Sequence, residues 1–197
     1  MTEKSVLHCT AFEGNHRIAS GTLASVLRKV KEVSDRDPNA SILIFDDATS
    51  EVVEVDLRGS LDDVLRRLEK PAPEPARADP TAPRGPGRPK LGVVSREVTL
   101  LPRHWDWLNS QPGGASVALR KLVEEARRVN SGRDKVRGAQ ESAYRFMSAM
   151  AGNLPGFEEA TRALFAGNRA RFDECVASWP ADVRDHARKL SDAALRS

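Results

Sequence analysis

Cysteine is scarce in this chain of 197 residues: Cys9 and Cys175 are the only two, and they lie far apart. That leaves no disulfide framework and no metal-ligand spacing, so both read as free thiols suited to a reducing compartment. Long apolar runs are missing as well. No stretch approaches the roughly 18 to 20 apolar residues of a membrane helix, and the opening "MTEKSVLHCT" lacks the apolar block of a signal peptide. The expectation is a cytoplasmic protein with no membrane contact. The four histidines, His8, His16, His104 and His186, are scattered and have no cysteine at ligand spacing; they read as structural or exposed. No Ser, His and Asp set or Cys and His set can be assembled for nucleophilic catalysis. Asp46 and Asp47, in "DDATS" between two strand-like runs, are explained by turn chemistry. The chain is therefore not expected to be an enzyme, and no metal or cofactor is expected.

What is present is charge, unevenly placed. The net +3 conceals nine basic and thirteen acidic side chains in residues 1–69 (net −4), +3 in 70–92, +4 in 93–137 and zero in 138–197. A middle of +7 against a front of −4 creates a local field attractive to polyanions.

Apolar spacing points to an α+β fold. In residues 1–69, "SVLHCTAF", the turn "EGN" and "HRIAS" form a hairpin, and "TLASVLRKVKEV" repeats Leu23, Val26, Leu27, Val30 and Val33 on one helical stripe with Thr22 as cap. "SILIF" and "EVVEVDL" form a second hairpin, and Ser60 opens the helix "LDDVLRRL". The order is ββαββα: an antiparallel sheet covered on one face by two helices, expected to fold by itself. Residues 70–92 hold seven of the twelve prolines and no aromatic, and read as a disordered Pro/Arg-rich linker.

Residues 93–130 read as a strand over 93–101, a helix opened by Pro102, a break at "QPGG", and a second helix capped by Ser116 with Leu119, Leu122, Val123, Ala126 and Val129 on one stripe. One strand and two helices cannot bury all of this. After the polar bridge "SGRDKVRG", residues 138–197 read as a bundle of four short helices broken near Gly152, Gly167 and Pro180. Trp105, Trp107 and Trp179 could stack on bases, but read first as core anchors, with Trp107 placed to cover a partner helix.

"VTLLP", "RHWDWL" and "GASVALRKLVEEARR" together resemble the ribbon-helix-helix family of bacterial DNA-binding proteins. The resemblance implies that the strands of two chains pair into a ribbon that enters the major groove. The alternation departs from the family's pattern, since Val98 and Leu100 share one parity and Leu101 the other. In the linker, "RGPGRPK" resembles an AT-hook, whose Gly-Arg-Pro core is carried here by Gly87, Arg88 and Pro89, with Pro86 where a full hook has a second arginine. Over nearly all of its length outside the linker the chain is similar to a family of uncharacterised bacterial proteins, through "IFDDATSEVVEVDLRGS", "REVTLLPRHWDWLNSQPGGASVALRKLVEEARR" and the run from "AYRFMSAMAG" to "WPADVRDHA". That resemblance implies no activity.

The expected function is DNA binding, as a transcriptional regulator or nucleoid-associated factor. Arg84, Arg88 and Lys90 would supply minor-groove and phosphate contacts; Arg96, Thr99 and Arg103 would position a ribbon made by a homodimer through the 93–101 strand. The alternative is a protein-interaction adaptor or dimerisation module with no nucleic-acid role, and a protein partner is conceivable for either end domain.

Overall fold

The computed structural model describes residues 7–69, 94 and 96–196. The linker, with Arg84, Arg88 and Lys90, lies outside the described residues. The chain divides into two compact units, residues 1–70 with 132–197 and residues 71–131. The long helix that ends the second unit continues into the first.

In the first unit β1 (His8–Glu13) and β2 (His16–Thr22) form the expected hairpin. β3 (Ile42–Asp46) pairs antiparallel with the other edge of β1, giving the order β2-β1-β3. α1 (Leu23–Arg36) starts where Thr22 predicts, the Thr22 hydroxyl accepting from the Ser25 amide at 3.3 Å. α2 (Leu61–Glu69) opens on a capping box: the Asp63 amide donates to Ser60 Oγ at 3.2 Å, and the Ser60 amide to the Asp63 carboxylate at 3.1 Å.

The sheet has two buried faces. Alternation along β1 sends Cys9 and Ala11 toward α1 and α2, where they join Val26, Leu27, Val30, Ile44 and Val64. It sends Phe12 the other way, with Phe45 of β3, into a core made with the C-terminal helices. Those helices are the end of α4 (Gly114–Ala151), α5 (Phe157–Phe165), α6 (Arg169–Val176) and α7 (Ala181–Leu195). Phe146 of α4 meets Phe12 and Phe45 at ring separations of 5.4 and 5.2 Å. Each phenylalanine buried here contributes about 1.5–3 kcal/mol. Polar ties reinforce the seam. Ser50 and Ser142 share a buried hydrogen bond of 2.8 Å, and the Arg17 amide donates to Asp182 at 2.9 Å. Residues 1–69 and 138–197, separable in sequence, thus share one core.

Three local expectations differ from the structure. "EVVEVDL" makes one bridge, Phe45 to Val52, and then leaves the sheet. Its alternation still turns Val53, Val55 and Leu57 toward the core, so burial is kept while the ladder is not. "SGRDKVRG" is not a bridge but part of α4. Its two glycines cost about 1 kcal/mol each in a helix interior, yet no proline interrupts it and strong helical sequence flanks it. Arg137 also pairs with Asp134 at 2.7 Å and Glu141 at 4.0 Å. Finally, residues 96–101 form no strand, and the described residues of their unit hold no other strand with which they could pair. An isolated strand leaves its backbone groups to solvent.

Candidate nucleic-acid interface

The described part of the second unit is residues 94 and 96–131. Leu101 is the N-cap of α3 (Pro102–Ser110), and Pro102 fills the first helical position, where a missing amide hydrogen costs nothing. Leu108 of α3 and Ala118 of α4 are buried, and Trp105 is half-buried. The turn between them needs glycine. Gly113 has φ +89°, and a Cβ there would meet Val117 at 3.1 Å. α4 begins at Gly114, so Ser116 lies inside the helix rather than capping it.

Arg96, Thr99 and Arg103 are all exposed, the first two in the segment before α3 and the third in the first turn of α3. The structure therefore places them along one short continuous stretch. On α4 the basic side chains are partly engaged. Arg127 pairs with Glu124 at 3.1 Å and Arg128 with Glu125 at 2.7 Å, both one turn apart and exposed. Such pairs are worth a few tenths of a kcal/mol and leave the guanidinium groups accessible. Among the described residues, Arg133 and Lys135 have no acidic partner within ion-pair distance.

Apolar groups are exposed alongside the charge. Trp107 is 52% exposed and lines a cleft of about 180 Å³ with Gln111, Pro112, Ala118, Lys121 and Leu122. The predicted stripe on α4 is in the open: Leu122 is 48% exposed, Val123 54% and Val129 65%. In the first unit Trp179 is an anchor, buried with its indole N–H donating to the Pro155 carbonyl at 2.9 Å.

Chemistry elsewhere is muted. Burial, with Asp46 and Asp47 nearby, pushes the Cys9 thiol up to about 11, so it is protonated and unreactive at neutral pH. Asp46 closes its own turn by accepting from the Ala48 and Thr49 amides at 2.7 and 2.8 Å. Asp47 accepts from Thr10 Oγ1 at 2.6 Å and lies 3.5 Å from Lys189 Nζ. Among the described residues, no three His, Cys, Asp or Glu gather in a way that could hold a metal ion. His186, read from sequence as structural or exposed, sits against Phe146 and Phe12 at ring separations of 4.6 and 5.5 Å, and neither ring nitrogen has a partner. Its immediate neighbours in "RDHARK" are polar, but helical spacing marks it, since Val183 three residues before and Leu190 four after share its face of α7. Among the described residues no helix is long and apolar enough to cross a membrane.

A model of the family described as "Uncharacterized protein conserved in bacteria (DUF2239)" matches residues 8–191. The chain belongs to that family. The matched range takes in both units, including the whole of residues 93–130. No curated protein and no solved structure matches the chain.

Proposed function

We propose that this is a DNA-binding protein in which residues 70–130 meet the duplex. The observation that carries the reading is the exposure of Arg96, Thr99 and Arg103 within the short segment that leads into and opens α3, in a part of the chain that carries +7 over residues 70–137. If this segment forms a strand on meeting a second copy, the two strands pair into a ribbon of the kind that fits the major groove. Arg96 and Arg103 would then position it on phosphates, with Thr99 between them. The linker adds Arg84, Arg88 and Lys90, whose Gly-Arg-Pro core is of the type that lies in the narrow minor groove of A·T-rich DNA. A role as transcriptional regulator or nucleoid-associated factor follows from this reading.

Gel shifts with random and A·T-rich duplexes over a salt series test it. Affinity should fall linearly on a log–log plot as phosphates are neutralised and counterions released. Arg88→Ala should weaken binding to A·T-rich duplexes by about 1–3 kcal/mol, while Lys90→Ala should weaken all sequences equally and flatten the salt slope by about one unit. No shift of any duplex at low salt would sink the reading.

A second reading, a protein-interaction adaptor, is favoured by the half-exposed Trp107 and the cleft beside it. Aromatic side chains in small clefts are common anchors of protein interfaces. Retention on heparin separates the two, because an adaptor of this kind has no use for a polyanion.

A further inference from the structure

We propose that the cleft beside Trp107 takes one unpaired nucleobase of a single strand, which stacks on the Trp107 ring while Lys121 meets a neighbouring phosphate. This rests on the reading that the unit meets DNA, and adds a substrate class to it, since a base inside a duplex is stacked and paired and must leave the helix to enter a cleft. Three stretches of chain build the cleft of about 180 Å³: Trp107 comes from α3, Gln111 and Pro112 from the turn after it, and Ala118, Lys121 and Leu122 from α4. That volume is below the roughly 300–1,000 Å³ of a site for a drug-sized ligand, so it suits a single ring system.

The chemistry of the lining fits a base better than a protein side chain. Trp107 is 52% exposed and offers an aromatic face of the kind on which any base stacks. Gln111 is fixed beside it, its Nε2 donating to the Trp107 carbonyl at 3.2 Å and to Ser110 Oγ at 3.3 Å. Both bonds use the amide nitrogen, so Oε1 is left to accept from the N–H groups on a base's Watson–Crick edge. Lys121 is exposed and, among the described residues, has no acidic partner within ion-pair distance. None of the residues that line the cleft is acidic, so nothing in the lining repels a phosphate. Lysine is depleted in protein–protein interfaces, whereas aromatic rings along a basic groove recur in proteins that hold single strands.

Titrating the full chain at low salt with a short oligothymidylate should quench its tryptophan fluorescence. Trp107→Phe should abolish most of that quenching, whereas Trp105→Phe should keep it. Trp107→Ala should bind the oligomer about tenfold more weakly or worse. An abasic oligomer of the same length has the same phosphates and no bases, and should bind the wild type about tenfold more weakly or worse. Lys121→Ala should flatten the salt slope on oligothymidylate by about 0.7 units. Circular dichroism melting establishes that each variant is folded, and the conservative Trp107→Phe supplies the quenching readout if Trp107→Ala does not fold. Binding of a duplex without binding of the single strand overturns the proposal, leaves the DNA reading standing and gives the cleft to a protein side chain. An abasic oligomer bound as tightly as oligothymidylate overturns it too, as does quenching that survives Trp107→Phe. A chain that binds neither duplex nor single strand loses both the proposal and the DNA reading.

Discussion

His186 is a buried imidazole with two unpartnered nitrogens among phenylalanines. Burial lowers its pKa to about 4, with Lys189 and Arg17 lowering it further and Asp47 opposing them. The unfolded chain, with an ordinary histidine near 6.5, therefore binds more protons than the folded chain between pH 6.5 and 4. Stability is full above that window and is lost as pH falls through it, by about 1.4 kcal/mol per pH unit. Thermal melts from pH 7 to 5, a range in which most carboxylates remain ionised, should show the decline. His186→Leu should flatten it and be neutral or stabilising at pH 7, because it removes two unsatisfied polar atoms. A slope unchanged in that variant would refute the assignment. Gly156 makes a steric prediction. It has φ +80°, and a Cβ there would lie 2.9 Å from the Cys175 carbonyl oxygen. Gly156→Ala should cost about 2 kcal/mol or more, read as a fall in melting temperature.

At the scale of elements, the caps behave as their sequences suggest. Thr22 caps α1, and Thr22→Ala should cost about 1 kcal/mol. α4 makes the sharper test, because 38 residues run without a break across a polar, glycine-bearing stretch. Lys135 lies in the middle of that stretch and is exposed. Lys135→Pro should cost about 3 kcal/mol by removing a helical hydrogen bond and colliding with the preceding turn. A bridge without helix would tolerate it, so a negligible change in denaturant midpoint would contradict the continuous helix.

At the scale of the whole molecule, the core shared by the front sheet and the C-terminal helices decides what can be cut. Phe12 and Phe45 are fully buried, and part of their cover is Phe146 and His186, far along the chain. A fragment of residues 1–69 would expose both, forfeiting about 3–6 kcal/mol against a total stability for a domain of about 5–15 kcal/mol. It should melt broadly and bind a hydrophobic dye. A sharp transition matching that of the full chain would show that the sheet's second face needs no cover.

Local chemistry in the sequence determined the hairpin, the caps at Thr22 and Ser60, the Pro102 start and the stops at Gly152 and Gly167, because caps and breakers act within a turn or two of themselves. It also determined that the stripe from Leu119 to Val129 exceeds what one strand and two helices can bury. Tertiary structure alone decided that the alternation of β1 serves two cores, since period two shows that both faces are apolar but not what covers each. It decided too that Val53, Val55 and Leu57 keep their inward alternation without a ladder, that "SGRDKVRG" stays helical between two strong helical flanks, and that a histidine in a polar run lies among phenylalanines. Apart from "SGRDKVRG", which its helical flanks and local ion pairs hold, each of these turns on contacts between residues distant in the chain, where packing overrides local propensity. Arg96, Thr99 and Arg103 stand between the two cases. Their residue types are legible in the sequence, but their joint exposure is read from the fold.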